Sequence, residues 1–214
     1  MHHPNIVRFL GVDYDDQTKT VLYVTEQLER GDLASILASD EVLSVQVCIQ
    51  ILFDVACGMT YLHSQPKPIM HRDLRAANVH ISRNYRAKVA NFELSGKRGL
   101  DKSRVGTPAW TAPEILAGDA DYTEKVDVYS FAMLMVEIMN RKMPYADESK
   151  AMPAPQLLNE IVSKQRRPTI LHPENWPQQM LNLVEACWEE DAEERPAFQS
   201  VVAELDTYLK QPQA

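Results

Sequence analysis

The chain has 214 residues, 45% of them hydrophobic, and a net charge of −8 at pH 7. That length and hydrophobic fraction are typical of a globular protein with one large core or two unequal lobes, and they exclude a disordered chain. The acidic balance argues against nucleic acid or an anionic membrane as the main partner. No apolar run approaches the length of a membrane span, and the start, MHHPNIVRFLGV, lacks the regions of a signal peptide. We therefore expect no membrane span and an intracellular, cytoplasmic location.

The cysteines and one basic run show no sign of a special site. Cys48, Cys57 and Cys187 lie in apolar patterns, lack metal-ligand spacing and are odd in number. We therefore expect buried free thiols rather than disulfides. Residues 164–167, KQRR, form a basic run, which is typical of a solvated face.

The first part of the chain predicts a hairpin followed by helices. Residues 6–12 and 21–25 are apolar and β-branched on either side of the turn-forming segment DYDDQTKT, which predicts a β-hairpin. A short helix is predicted at 33–37. A long helix is predicted at 43–63, because its apolar residues recur on one face. Those residues are Val47, Ile51, Leu52, Val55, Met59 and Leu62.

The middle of the chain predicts two short strands, a loop and a buried helix. The strands are expected at 79–82 and 87–89. From 94 to 113 no apolar period persists and glycines and prolines interrupt the pattern, which indicates a loop long enough to be functional. Residues 127–139, DVYSFAMLMVEIM, are apolar on nearly every side, which predicts a helix at the centre of a lobe.

The C-terminal part predicts two helices, each with one apolar face. The first face holds Met180, Leu183, Val184, Cys187 and Trp188, and the second holds Phe198, Val201, Val202, Leu205 and Leu209. Pro196 suits the first turn of the second helix. The pattern alone therefore predicts a mainly helical domain with a few short strands.

Several separated motifs occur in a characteristic order. They are HPNIVRFLG (3–11), YVTEQLERGDL (23–33), MHRDLRAANVHI (70–81), KVANFEL (88–94), APE (112–114), DVYSF (127–131) and CWEEDAEERP (187–196). Together they resemble the eukaryotic protein kinases, in the tyrosine-kinase-like and tyrosine kinase branches, over residues 3–209. The resemblance implies an α+β, protein-kinase-like fold with a mostly helical large lobe and a remnant β-hairpin of the small lobe. We expect small lobe and hinge at 1–28, large lobe at 29–210 and a tail at 211–214.

The resemblance implies transfer of the ATP γ-phosphate to a protein hydroxyl, with ATP and Mg²⁺ as cofactors. Asp73 would accept the substrate proton, Arg75 would lie near the transferred phosphate, and Asn78 would supply an oxygen to magnesium. GTPAW at 106–110 is similar to serine/threonine kinases and HRDLRAAN to tyrosine kinases, so a Ser/Thr acceptor is preferred and Tyr is possible.

The same resemblance assigns the nucleotide, regulatory and structural positions. For the nucleotide these are the gatekeeper Thr25, hinge backbone groups from Glu26 to Leu28, and His80 as the floor of the adenine pocket. The regulatory residues are Arg72, which would pair with a phosphorylated activation loop, and the acceptor candidates Ser103 and Thr107. The structural residues are His71 and Phe92 in an apolar stack, Asp127 beneath it, and the ion pair of Glu114 with Arg195.

Two departures from the family pattern lie near the site, the first at Asn91 and Glu93 and the second at His80. Asn91 stands where the family has a metal-binding Asp, and an amide keeps one oxygen but loses the charge. Glu93, in place of a glycine, either supplies the lost carboxylate or leaves the site without one. His80 replaces an aliphatic residue and is either a tolerated change or a cost to nucleotide affinity.

The third departure concerns what precedes HPNIV. The glycine-rich loop, strand lysine and helix glutamate of the family would lie upstream, so we expect that the chain begins inside a domain, as a truncated product or a fragment. It would then be catalytically impaired alone, and its hairpin would expose an edge. Two hypotheses remain. The chain is part of an active kinase, or it is a pseudokinase lobe that binds or scaffolds signalling proteins.

Overall fold

The structure is a computed structural model and describes residues 2–92, 95 and 108–211. Within that part the fold is α+β, mostly helical with two small antiparallel sheets, which confirms the predicted class. The strands are β1 Phe9–Asp15, β2 Thr20–Thr25, β3 Val79–Ile81 and β4 Ala87–Val89. The helices are α1 Leu33–Ala38, α2 Val45–His63, α3 Pro113–Leu116, α4 Lys125–Asn140, α5 Glu148–Ala151, α6 Ala154–Ser163, α7 Gln178–Cys187 and α8 Phe198–Leu209.

The hairpin of β1 and β2 is present but lies about three residues later in its first strand than the pattern predicts. Ile6 and Val7 do not belong to it, because they join β4 instead: Ile6 bridges Val89, and the Val7 N–H donates to the Val89 carbonyl at 2.9 Å. Both residues are buried, whereas the hairpin is exposed on both faces, with Phe9 54% and Tyr23 68% accessible. The predicted strand thus combines a core segment with the start of an exposed hairpin.

Helix α2 is the first of two core helices. It begins at Val45 rather than 43 because the Ser44 side chain caps it, accepting a hydrogen bond from the Val47 N–H. Contrary to our expectation, this helix is long and apolar enough to cross a membrane, and it is the one such helix in the described residues. It packs against α8 and β4, so its apolar face lies in the core. The helix's tertiary contacts therefore account for its composition.

Helix α4 is the second core helix and is buried from Val126 to Met139, as its all-round apolar pattern predicts. It carries three buried polar side chains, and each of them requires a hydrogen-bond partner. Asp127, Ser130 and Glu137 each accept or donate hydrogen bonds to other segments. Helix α4 therefore both fills the core and holds the neighbouring loops.

The C-terminal helices correct two expectations. Pro196 is not in the first turn of α8, because Ala197 is the N-cap and the helix begins at Phe198. Helix α6 was missed although Leu157, Leu158, Ile161 and Val162 recur at a helical spacing, because it has only 10 residues and prolines stand at its start. Its apolar face was a signal in the sequence that could have identified it.

The basic run at 164–167 is not simply a solvated face. Arg167 is only 14% exposed at its side chain and pairs with Glu190 at 2.7 Å. Its guanidinium also lies 5.2 Å from the ring centroid of the buried Tyr129. Arg166 pairs with Glu160 of α6 at 2.6 Å. Two of the three basic residues in this run thus make short ion pairs with other parts of the chain, which their sequence neighbours did not indicate.

The cysteines are free thiols, as predicted, with Cys48 and Cys187 buried and Cys57 half-buried. Burial raises the pKa of Cys48 to about 11 and raises that of Cys187 further. Both buried thiols are therefore protonated and unreactive at neutral pH.

Gly58 marks the closest approach of α2 to the segment that precedes β1. A Cβ at this position would lie 2.7 Å from the Asn5 carbonyl oxygen, which accepts the Val89 N–H. Gly58→Ala gains roughly 1 kcal/mol of helix propensity but forces the backbone apart. We expect a net loss of about 1–3 kcal/mol in the free energy of unfolding, measured by urea denaturation.

The matched control for this change is Gly11→Ala, where a Cβ meets nothing within 4 Å. We expect that variant to stay within roughly 0.5 kcal/mol of the wild type. Equal losses in the two variants would contradict the close approach at Gly58.

Candidate active site

The loop that precedes β3 is held from below by the carboxylate of Asp127, which is buried in α4. Its Oδ2 accepts the His71 backbone N–H at 2.8 Å and faces His63 Nε2 at 2.8 Å. Its Oδ1 accepts the Arg72 backbone N–H at 2.8 Å, and Arg72 has a positive φ of 66°. Burial opposes ionisation, but the bond with His63 and the other contacts outweigh it and lower the pKa of Asp127. The loop is therefore fixed by an ionised carboxylate.

His71 connects this loop to the strand that follows it. Its Nε2 lies 2.9 Å from the Ala90 carbonyl, which can only accept, so Nε2 carries the proton. Its Nδ1 accepts the Asp73 N–H at 3.3 Å, and its ring meets that of Phe92 edge-on at 5.3 Å between centroids. Complete burial lowers the pKa of His71. The imidazole is thus neutral, with both nitrogens engaged.

Asp73, Arg75 and Asn78 lie together at the top of the loop. Asn78 donates through Nδ2 to the Asp73 carbonyl at 2.6 Å and to the Asp73 carboxylate at 2.7 Å. Arg75 donates from Nε to the same carboxylate oxygen at 3.3 Å. The 3₁₀ turn Ala76–Asn78 places Asn78 beneath the carboxylate. The structure therefore brings the three residues assigned to catalysis into one hydrogen-bonded group.

Asn91 extends this group by one further bond. Its Nδ2 donates to Asn78 Oδ1 at 3.1 Å, and its φ of 61° is a conformation that Asn tolerates. The orientation follows from chemistry, because both Asp73 acceptors require the NH₂ of Asn78 and leave its oxygen facing Asn91. We call the bonded series from Asn91 through Asn78 to Asp73 the amide chain.

The amide chain does not suit a magnesium ion. Mg²⁺ prefers carboxylate and other oxygen ligands, but the oxygen of Asn78 faces an N–H donor, and position 91 presents an amide without charge. Among the described residues no group of three or more His, Cys, Asp or Glu side chains could hold a metal ion. Glu93 lies outside the described residues. The donor set thus disagrees with the metal that the resemblance implies.

A cavity of about 730 Å³ opens between the hairpin and the amide chain. Its lining residues are Val7, Phe9, Tyr23, Thr25, Ala77, Asn78, His80, Ala90, Asn91 and Phe92. The size of the cavity and its mixed apolar and polar lining are those of a small-molecule site. Leu28 is buried against Val7 and Ala90. The Glu26 side chain does not line this cavity and pairs with Lys88 at 2.6 Å.

Three of the remaining assigned residues, Arg72, Glu114 and Arg195, do not line this cavity. Arg195 makes a bidentate ion pair with Glu114 at 2.7 and 3.1 Å and is itself almost completely buried. The Arg72 guanidinium lies over the ring of Tyr122, 5.6 Å from its centroid. Ser103 and Thr107 lie outside the described residues, so their assignment stays a prediction.

The protein tyrosine and serine/threonine kinase family matches residues 1–205, nearly the whole chain. The chain belongs to this family. The probable serine/threonine-protein kinases drkC and drkD of Dictyostelium discoideum are 37% and 36% identical to this kinase domain sequence, over 96% and 99% of its length. Serine/threonine-protein kinase CTR1 of Arabidopsis thaliana is 35% identical over 98% of it. The chain spans 27%, 16% and 25% of these relatives.

Two further residues of the kinase domain support the site but were not identified from the sequence. Glu137 Oε2 accepts the Ala76 N–H at 3.0 Å and the Trp110 Nε1–H at 2.8 Å, so it joins the catalytic loop to the segment before α3. His63 faces Asp127 from the end of α2. The available signals were the acid Glu137 inside the apolar run DVYSFAMLMVEIM and the imidazole of His63 at the end of an apolar helix.

Glu137→Ala tests the first of these roles. It removes the acceptor of two buried donors, so we expect the free energy of unfolding to fall by about 2–4 kcal/mol. Glu137→Gln keeps one acceptor oxygen and should lose less. The control is Glu185→Ala on the exposed face of α7, with a change near zero. Chemical denaturation measures all three, and a Glu137→Ala loss no larger than the control would refute the bridge.

The second test concerns the charge of His71. Since burial holds its pKa below the ordinary 6.5, the unfolded chain binds more protons near that pH than the folded one. The contribution of His71 to stability is therefore present above pH 6.5 and is lost as the pH falls toward its folded pKa. As the pH is lowered, proton–nitrogen NMR of the imidazoles should show His71 still neutral, with its proton on Nε2, at a pH where unperturbed histidines are already imidazolium. Simultaneous titration would contradict this.

Proposed function

We propose that this chain forms the large lobe of a kinase domain, residues 29–210, with a small-lobe hairpin and hinge at 1–28 and a tail at 211–214. The family reaction is transfer of the ATP γ-phosphate to a protein hydroxyl. We prefer Ser/Thr as the acceptor because the three relatives named above are serine/threonine-protein kinases by name. This reaction implies a protein substrate or protein partner. We propose the cytoplasm as its location.

The proposal includes impaired catalysis, and the hydrogen bond from Asn91 to Asn78 carries that part of it. In phosphoryl transfer the protein contributes chiefly by positioning groups and by neutralising charge. A carboxylate at position 91 would face Asn78 Oδ1 and would attract a cation between the two acceptors, whereas the amide satisfies that oxygen directly. If the missing charge weakens transition-state stabilisation by about 3–5 kcal/mol, the rate falls by roughly two to four orders of magnitude.

The remaining side chains are suited to their family roles. ATP would supply the phosphoryl group, with its base in the cavity beside Thr25 and His80 and near the hinge backbone from Glu26 to Leu28. Asp73 is the proton acceptor of the proposal, since its carboxylate is held by Arg75 and Asn78 and its pair of oxygens can accept a hydroxyl proton.

Regulation by phosphorylation is part of the same proposal. The Arg72 backbone N–H donates to Asp127, and the Arg72 guanidinium lies over the ring of Tyr122. A phosphate on Ser103 or Thr107 would supply acceptor oxygens that suit a guanidinium. Mass spectrometry of protein from its own cells should find one of these residues phosphorylated.

The second candidate function is that of a pseudokinase lobe that binds or scaffolds signalling proteins. One contrast favours this function, namely that between the contacts that stabilise the fold and the side chains that would bind the metal. The ion pair of Glu114 with Arg195 and the contacts of Asp127 are complete, whereas the donor set at Asn91 and Asn78 lacks a charge. A fold kept intact without its metal ligand can still present a surface to partners.

Asn91→Asp tests the role of the amide. We expect the melting temperature of the wild-type chain to be unchanged by MgCl₂, with or without ATP. The variant should melt lower in EDTA, because two acceptors then face each other, and should rise when MgCl₂ is added, because the ion binds the folded state. Asn84→Asp, in an exposed turn, makes the same charge change away from the site and serves as the control. A magnesium-dependent rise in the wild type would contradict the proposal.

Phosphoryl transfer is then compared in the full-length protein, since the chain spans 27% or less of the relatives named above. With ATP and MgCl₂, Asn91→Asp should incorporate phosphate faster than the wild type by roughly two orders of magnitude or more. A measurable wild-type rate equal to that of the variant would refute impairment. If neither protein transfers phosphate, the scaffolding function is favoured.

A further inference from the structure

A second cavity, of about 320 Å³, lies where the first residues of the chain meet the hinge. Its lining residues are His2, His3, Pro4, Ile6, Arg8, Glu26 and Lys88. None of them lines the cavity assigned to the nucleotide. The proposed kinase reaction therefore makes no use of this space, which we call the cationic pocket.

Positive charge dominates the cationic pocket. Arg8 and Lys88 face one carboxylate, that of Glu26, and two imidazoles complete the polar lining. Burial opposes ionisation of Glu26, but the hydrogen bonds from the Lys88 ammonium at 2.6 Å and the Arg8 backbone N–H at 2.8 Å outweigh it and lower its pKa. Glu26 thus stays charged and neutralises one cation. The other cation remains available to a ligand.

Contacts with several parts of the chain hold three side chains of the pocket in place, those of Lys88, Glu26 and His3, whereas that of Arg8 is exposed. Lys88 belongs to β4 and is only 25% exposed, Glu26 follows β2, and the Glu26 N–H donates to the Arg8 carbonyl at 2.9 Å. The His3 ring stacks on Tyr61 of α2 with centroids 4.9 Å apart. His3 Nδ1 accepts the Asn5 N–H at 3.1 Å, so its Nε2 carries the proton and is a donor. Such prior ordering reduces the entropy that binding costs.

We propose that the cationic pocket binds an anionic side chain, carboxylate or phosphate, carried by an acidic or phosphorylated segment of a partner protein. A guanidinium, an ammonium and imidazole N–H groups form charge-assisted hydrogen bonds with such a group. The net charge of −8 repels acidic segments at long range, so recognition depends on these short-range contacts. The proposal concerns a surface outside the nucleotide cavity and does not depend on phosphoryl transfer.

The experiment uses two fluorescein-labelled peptides of equal length, an oligoglutamate and a Gly/Ser peptide with one phosphoserine. Binding to the folded chain is measured by fluorescence anisotropy at low and high NaCl. Arg8→Glu should weaken binding roughly tenfold, because it removes a charge-assisted hydrogen bond. Lys88→Gln should weaken it as well, because it leaves the Glu26 carboxylate without its ammonium partner and so repels the anion. Lys150→Glu, at an exposed residue of α5, makes the charge change of Arg8→Glu away from the pocket and should leave binding unchanged.

The two peptides distinguish the sources of the anionic group, since tighter binding of one identifies a carboxylate or a phosphate as the preferred ligand. NMR provides a second measurement, in which peptide addition should shift the His3 imidazole resonances but not those of His172. Arg8 is exposed, so its variant retains the fold even if Lys88→Gln does not. The proposal is overturned if neither peptide binds, or if Lys150→Glu weakens binding as much as Arg8→Glu does.

Discussion

The buried carboxylate of Asp127 is the interaction on which the rest of the site depends. One side chain of α4 receives the backbone N–H groups of His71 and Arg72 and faces His63 of α2. A buried charge without such partners would be strongly destabilising, so the two core helices and the catalytic loop must assemble together. Glu137, about three turns further along α4, likewise accepts the Ala76 backbone N–H and the Trp110 indole N–H. The loop's shape thus follows from two acids in an otherwise apolar helix.

The amide chain shows how one substitution changes the chemistry of a site while leaving its geometry. Asn91 takes a backbone conformation with a positive φ and still contacts Asn78, as an Asp at this position would. Two opposed acceptors need a cation, whereas an amide facing an oxygen needs none. The fold can therefore retain the arrangement of Asp73, Arg75 and Asn78 without a metal.

Much of the architecture was predictable where apolar periodicity was strong, as in α2, α4, α7 and α8. The prediction failed where a tertiary contact decided the outcome. Ile6 and Val7 read as strand but pair with β4 instead of with the hairpin, because burial beside α2 stabilises them there. Helix α6 has an apolar face at helical spacing, but it is short and begins at prolines, so the pattern did not identify it. Arg167 reads as a surface cation, yet it pairs with Glu190 over the ring of Tyr129.

The sequence by itself determined the family and the α+β class. It also predicted that Asp73, Arg75 and Asn78 lie together, because motif spacing specifies which side chains a short loop can bring together. It also showed that position 91 lacks a carboxylate. Only the tertiary structure decided which way the amides of Asn78 and Asn91 face, since that depends on the acceptors of Asp73. Likewise, Arg8, Glu26, Lys88 and His3 are distant in sequence, and only folding places them around one cavity. Hydrogen-bond direction and charge clustering depend on neighbours in space, which a linear pattern does not contain.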